Sequence, residues 1–146
     1  MQRKAKDLES LLRLHNWTVD ERRRELGVLL AREEEMILSG EEMDRQLVRE
    51  QQTAAADPAG AGFIYSAYAK GYLVRREQLE RALDALRGEI LQARDRLADA
   101  YRQLKVFEEV RKGRQRQEDI EEGRKEQALF DEIAQTQYRQ RKARRE

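Results

Sequence analysis

Few side chains in this sequence could do chemistry. His15 is the single histidine, and there is no cysteine. A metal centre needs several His, Cys or carboxylate ligands at fitting spacings, and no such set accompanies His15. The carboxylate runs Glu33-Glu34-Glu35 and Glu41-Glu42 could work as acid–base pairs only in a pocket that pushes their pKa values apart. They read instead as solvated helix faces. No phosphate-cradling glycine loop, nucleophile elbow or metal-ligand spacing occurs. An enzyme, a cofactor and a small-molecule substrate are therefore not expected. What remains is recognition. The run Arg139, Arg141, Lys142, Arg144 and Arg145 could meet nucleic acid phosphates, but cations at a helix C-terminus also complement its dipole. The net charge is only +1 and no basic stripe lies elsewhere, so nucleic acid is not the expected partner. More telling is a cluster just before those cations. Arg111 to Gln127 is polar except for Ile120, and then Leu129, Phe130, Ile133 and Tyr138 come together.

The elements that carry these residues are helices. Charged residues make up 40% of the 146, against roughly 25% in ordinary globular chains. Ala, Leu, Glu, Arg, Lys and Gln dominate, and all are strong helix formers. High charge with low hydropathy also describes disordered chains, so periodicity has to decide. From Leu8 to Leu47 apolar residues recur at alternating steps of four and three. One track is Leu12, Val19, Leu26, Gly40 and Leu47, interrupted by Glu33. The other is Leu8, Leu29, Met36 and Met43, interrupted by His15 and Arg22. Later, Leu79, Leu83, Leu86, Ile90, Ala93, Leu97, Ala100, Leu104 and Phe107 repeat cleanly, about four heptads of coiled-coil seam.

Between the two patterns lies Thr53-Ala-Ala-Ala-Asp-Pro-Ala-Gly-Ala-Gly62, with the chain's one proline, Pro58. Asp57-Pro58 stops a helix and starts a turn. Folding the chain back there brings Leu12 to Leu104, Val19 to Leu97, Leu26 to Ile90 and Leu29 to Leu86. Met36 meets Leu79, Met43 meets Tyr72, and His15 comes near Tyr101. The seams match, and the second one stops near Phe107 and Val110, where the first helix runs out. That coincidence favours an intramolecular hairpin over a parallel homodimer.

The expected fold is all-α: a long two-helix antiparallel coiled-coil hairpin whose second helix overhangs at the C-terminus. It is one coiled-coil domain over 1–146, with helix 1 about 3–54, a bend about 55–62 and helix 2 about 63–142. At about 1.5 Å per residue the helices span on the order of 75 and 120 Å, leaving an overhang of about 30 residues. The expected seam comprises Leu12, Val19, Leu26, Leu29, Leu79, Leu83, Leu86, Ile90, Leu97, Leu104 and Phe107. Arg22 and Glu33 in it cost stability but help to fix register. Phe63, Tyr65, Tyr68 and Tyr72, just past the bend, either brace the hairpin or form a contact patch. On the overhang, the cluster from Leu129 to Tyr138 has no intramolecular partner. No run of about 18 apolar residues exists to cross a membrane. The N-terminus lacks the apolar core and cleavage site of a signal peptide. The absence of cysteine fits a reducing cytoplasm.

Three stretches resemble a known family: LLRLHNWTVDE at 11–21, KVFEEVR at 105–111 and KEQALFDEIAQ at 125–135. The chain is similar to FliJ-type flagellar export proteins, the central stalk of the flagellar type III export ATPase. The resemblance extends over nearly the whole chain, including its bend and longer second helix. It implies a non-catalytic role in flagellum biogenesis and motility. It also implies that the end bearing both termini enters the pore of a hexameric export ATPase. Leu129, Phe130, Asp131, Glu132, Ile133 and Gln135 match the family's C-terminal motif and, with Tyr138 beside them, are the expected ATPase contacts. The other end is expected to reach a membrane export-gate protein. Met43, Leu47, Tyr68 and Tyr72 are chosen for that contact from position and character alone. Export chaperones are further partners of the family. The implied location is cytoplasmic, peripheral to the inner face of the cell membrane. The equivalent stalk of a virulence type III secretion system and a generic coiled-coil scaffold are the alternatives.

Overall fold

A computed structural model describes residues 2–146. Two helices account for nearly all of them: α1, Gln2–Ala56, and α2, Gly62–Arg145. No strand occurs among the described residues. The break follows from local chemistry. Pro58 has no N–H to donate and disfavours helical geometry in the residue before it. Asp57 then organises the turn. Its backbone carbonyl accepts from Ala61 N at 3.0 Å, and its carboxylate accepts from Gly60 N at 3.2 Å. The Ala61 carbonyl accepts from Tyr65 N at 2.9 Å, which starts α2.

Contacts divide the chain into two units. One comprises residues 16–101 and includes the turn. Here the helices pack antiparallel through the alternating three- and four-residue spacing. Val19, Leu83, Leu86, Ile90, Ala93 and Ala100 form its core. Each buried Leu or Ile contributes roughly 1.5–3 kcal/mol by leaving water. The small side chains of Ala93 and Ala100 let the helices approach. Leu26, Leu29, Met36, Met43, Leu47, Leu79 and Leu97 are half-buried along the same stripe. So are Arg22 and Glu33, the two polar interruptions of this stretch. Arg22 turns back along its own helix to Glu25 at 3.1 Å, whereas Glu33 reaches across to Arg87 at 3.3 Å. Gly40, on the same stripe, is buried. A Cβ there would lie 2.6 Å from Arg76 Nη1 and 3.0 Å from Leu79 Cδ2. The missing side chain makes a notch that α2 fills.

The other unit comprises residues 1–15 and 102–146. Leu8, Leu12 and Leu104 are its buried residues. Glu9 pairs with Arg111 at 3.3 Å, and the Lys4 carbonyl accepts from Arg114 Nη1 at 3.3 Å. His15 has an aromatic partner on α2. Its ring stacks on Phe107, centroids 4.5 Å apart and 20° from parallel. Tyr101 lies under the Arg23 guanidinium, 5.1 Å from its centroid. The reason is side-chain direction. Side chains lean toward the N-terminus of their own helix, so facing residues of an antiparallel pair meet beyond each other's backbone level. Apolar spacing alone carries no such correction.

Candidate functional site

The described residues contain no cluster of His, Cys, Asp or Glu able to hold a metal. The openings are surface grooves. One of about 600 Å³ runs between Val28, Leu29 and Ala93, rimmed by Arg24, Glu25, Glu89 and Arg96. Its ion-bearing rim is open to solvent. Among the described residues no helix is long and apolar enough to cross a membrane. The exposed side chains singled out from the sequence fall on two surfaces, one in each unit.

The first is on α2. From Arg114 to Glu146 every residue is exposed, and helix persists to Arg145. Good helix formers and local bonds sustain it. Gln127 donates to Asp131 at 3.2 Å, and the Thr136 hydroxyl donates to the Glu132 carbonyl at 2.9 Å. Leu129 and Ile133 are four residues apart, and Phe130 and Ile133 three, so all three share one face. They are 56%, 45% and 65% exposed in the order Leu129, Ile133, Phe130. Asp131 and Glu132 flank this patch, and Gln135 follows it. Tyr138, also exposed, lies about 80° round the helix from Phe130 at 100° per residue. It shares a shallow groove with Arg141, Lys142 and Arg145. Leu129, Phe130 and Ile133 thus form one apolar patch, and Tyr138 belongs to a neighbouring basic face.

The second surface surrounds the turn in residues 16–101. Met43 and Leu47 are half-buried in the seam. Tyr72 donates its hydroxyl to Asp44 Oδ1 at 2.5 Å. Arg76 grips the same carboxylate at 3.1 and 3.3 Å and Glu80 at 3.0 Å. The hydrogen bond from Tyr72, followed by that from Arg76, holds the Asp44 carboxyl below its usual 3.8. In return, the bond to Asp44 raises the Tyr72 phenol above its usual 10.0. Tyr65 accepts from Gln51 at 2.9 Å. Tyr68 lies under Arg75, 5.4 Å from the guanidinium. Tyr65 and Tyr72 brace the hairpin from α2 to α1, whereas the Tyr68 contact stays within α2. Phe63 and Ile64 are 88% and 66% exposed.

Ile64, Asp44 and Arg76 went unnoticed as sequence features. Counting back from Leu79 by heptad steps lands on Arg76 and Tyr72, which was the available signal for the clamp. Nothing but its place beside the turn marked Ile64.

The apolar patch and nearly all of both helices fall inside one match. A family model described as "Flagellar FliJ protein" covers residues 4–143. No curated protein and no solved structure gives a match. The matched segment takes in the Asp57-Pro58 turn and the exposed LFDEIAQ stretch, and the chain belongs to the flagellar FliJ protein family.

Proposed function

We propose that this chain is the non-catalytic stalk of a flagellar export ATPase. Membership of the flagellar FliJ family gives the coarse assignment, a component of flagellar protein export. The finer reading rests on one observation. Leu129, Phe130 and Ile133 hold an apolar patch in water on a stretch of α2 that no other described residue covers. Apolar side chains grouped on one exposed helix face suit a partner's surface. In the proposed assembly the last third of α2 enters the hexameric ATPase. Leu129, Phe130, Asp131, Glu132, Ile133 and Gln135 make the contacts, with Tyr138 at their border.

Around the turn, the proposed partner is the membrane export gate. Tyr68 and the half-buried Met43, Leu47 and Tyr72 form the floor of that contact, and Phe63 and Ile64 project from it. Export chaperones dock on the same protein while it sits at the inner face of the membrane. The stalk performs no chemistry. It biases ATPase subunits only through contacts that differ between their nucleotide states.

Truncation after Gln127 tests the reading. The shortened chain should lose ATPase binding and stimulation while its helical signal per residue and its unfolding midpoint persist. Binding and stimulation equal to the full chain would exclude the C-terminal segment as the docking element.

A further inference from the structure

Five cations stand in the last two turns of α2: Arg139, Arg141, Lys142, Arg144 and Arg145. All are exposed. No carboxylate lies between Ile133 and Arg145. Elsewhere several cations pair with carboxylates at helical spacing, as in Arg22–Glu25, Arg24–Glu21, Arg45–Glu42 and Arg81–Glu77. The terminal block alone exceeds the whole chain's net charge of +1, so the remainder of the chain is net acidic. The helix dipole accounts for cations in the final turn, where Lys142, Arg144 and Arg145 lie. Its effect fades beyond one turn and leaves Arg139 and Arg141 without a role. Tyr138, Arg141, Lys142 and Arg145 line one shallow groove, so part of this charge faces a single direction.

The same segment shows what kind of anion fits. Glu118, Asp119, Glu121 and Glu122 precede the apolar patch, and Asp131 and Glu132 flank it. A nucleic acid backbone along α2 would meet these carboxylates, and Tyr138 is the single aromatic near the cations for a base to stack on. A protein surface can alternate in charge and polarity where a phosphate backbone cannot. We infer that the partner surface receiving this segment is banded. It offers an apolar recess to Leu129, Phe130 and Ile133, and a set of carboxylates about 18 Å further along the helix axis to Arg141, Lys142 and Arg145. This rests on the proposed docking of the C-terminal segment in the ATPase and adds the chemistry of its partner. The acidic band steers the approach and fixes the depth of entry; the recess holds the seated helix.

The experiment measures binding of the full-length chain to the purified export ATPase of the same flagellar system, at about 50 mM and about 500 mM salt. The wild-type chain should weaken about tenfold or more across that range. Arg141→Glu/Arg145→Glu should weaken binding at low salt by about tenfold and flatten the salt dependence. Arg141→Gln/Arg145→Gln should do the same to a smaller degree. Leu129→Ala/Phe130→Ala should weaken binding at both salt levels and leave the dependence as steep. Circular dichroism on each variant checks that the helix is retained. Salt-insensitive binding by the intact chain, unchanged by either arginine pair, overturns the acidic band while leaving terminal docking in place. Tighter capture by a mixed-sequence oligonucleotide than by the ATPase also overturns it. Full-strength binding by the chain truncated after Gln127 overturns the docking and the band together.

Discussion

The Asp44 carboxylate shows how one residue ties two helices. It accepts from Tyr72 and Arg76 at once, and its side chain remains 46% exposed, so solvent screens much of the attraction. The direction of its pH dependence is still definite. A carboxyl held below its unfolded value contributes stability above that value and loses it as pH falls through the folded one. Asp44 therefore contributes at neutral pH and ceases to do so in the acid range below 3.8. Tyr72 works at the other extreme. Its raised phenol contributes below 10.0 and is lost as pH climbs above that value. Thermal unfolding followed by circular dichroism should thus be flat between about pH 5 and 9 and decline on both sides. Asp44→Asn should flatten part of each decline. The acid arm should not vanish, because Arg49 and then Arg45 also hold Glu42 below its usual 4.5. An unchanged profile in Asp44→Asn would show that the clamp is not formed in solution. Sequence spacing put His15 on the seam, but its ring partner depended on how side chains lean, which spacing does not encode.

Packing decides what the glycines of the two helices do. Gly27 and Gly88 have nothing within 4 Å of a would-be Cβ. Alanine at either should raise stability by about 0.5–1 kcal/mol through helix propensity alone. Gly40→Ala gains the same propensity but collides with Arg76 and Leu79. Arg76 cannot swing freely, because Asp44 and Glu80 hold it, so Gly40→Ala should show no gain and an unfolding midpoint at or below wild type. A similar contrast probes the seam. Leu86→Ala empties a side chain that is 5% exposed and should cost about 2–4 kcal/mol. Leu91→Ala, at a position 61% exposed, should change stability by less than about 0.5 kcal/mol. Denaturant titration of both variants gives the comparison directly. At this scale the sequence was most informative for α2, where apolar residues fill nearly every seam position from Leu79 to Phe107. It was less so for α1. His15, Arg22 and Glu33 read as interruptions of the pattern, yet all three are half-buried on the stripe, and Gly40, a member of its first track, is buried there. Periodicity marks positions, and a hydrophobicity rule misses those filled by a glycine notch or an ion pair.

Across the whole molecule, stability is unevenly spread. Leu8, Leu12 and Leu104 are buried near one limit of the packed helices, whereas residues 114–146 are exposed throughout. Amide hydrogen exchange should therefore be fastest in residues 114–145, and slowest around Leu83, Leu86 and Ile90. Uniform protection along α2 would contradict this. The change at Arg111 could be seen in the sequence because a helix without a neighbour needs no apolar stripe. The contact chemistry of the turn was less visible, since aromatic residues there can either brace the helices or project from them. Phe63 and the tyrosines look alike in sequence and differ only in where packing sends them. The uncovered stretch of α2 has a further consequence for the lifetime of the protein. It is rich in Arg and Lys and carries Gly123, so it opens locally at little cost. A protease that cuts after basic residues should trim it first, unless a partner encloses it. Unbound copies would then lose the segment proposed to dock while seated copies keep it, and proteolysis would hold the supply of competent protein close to the number of available sites.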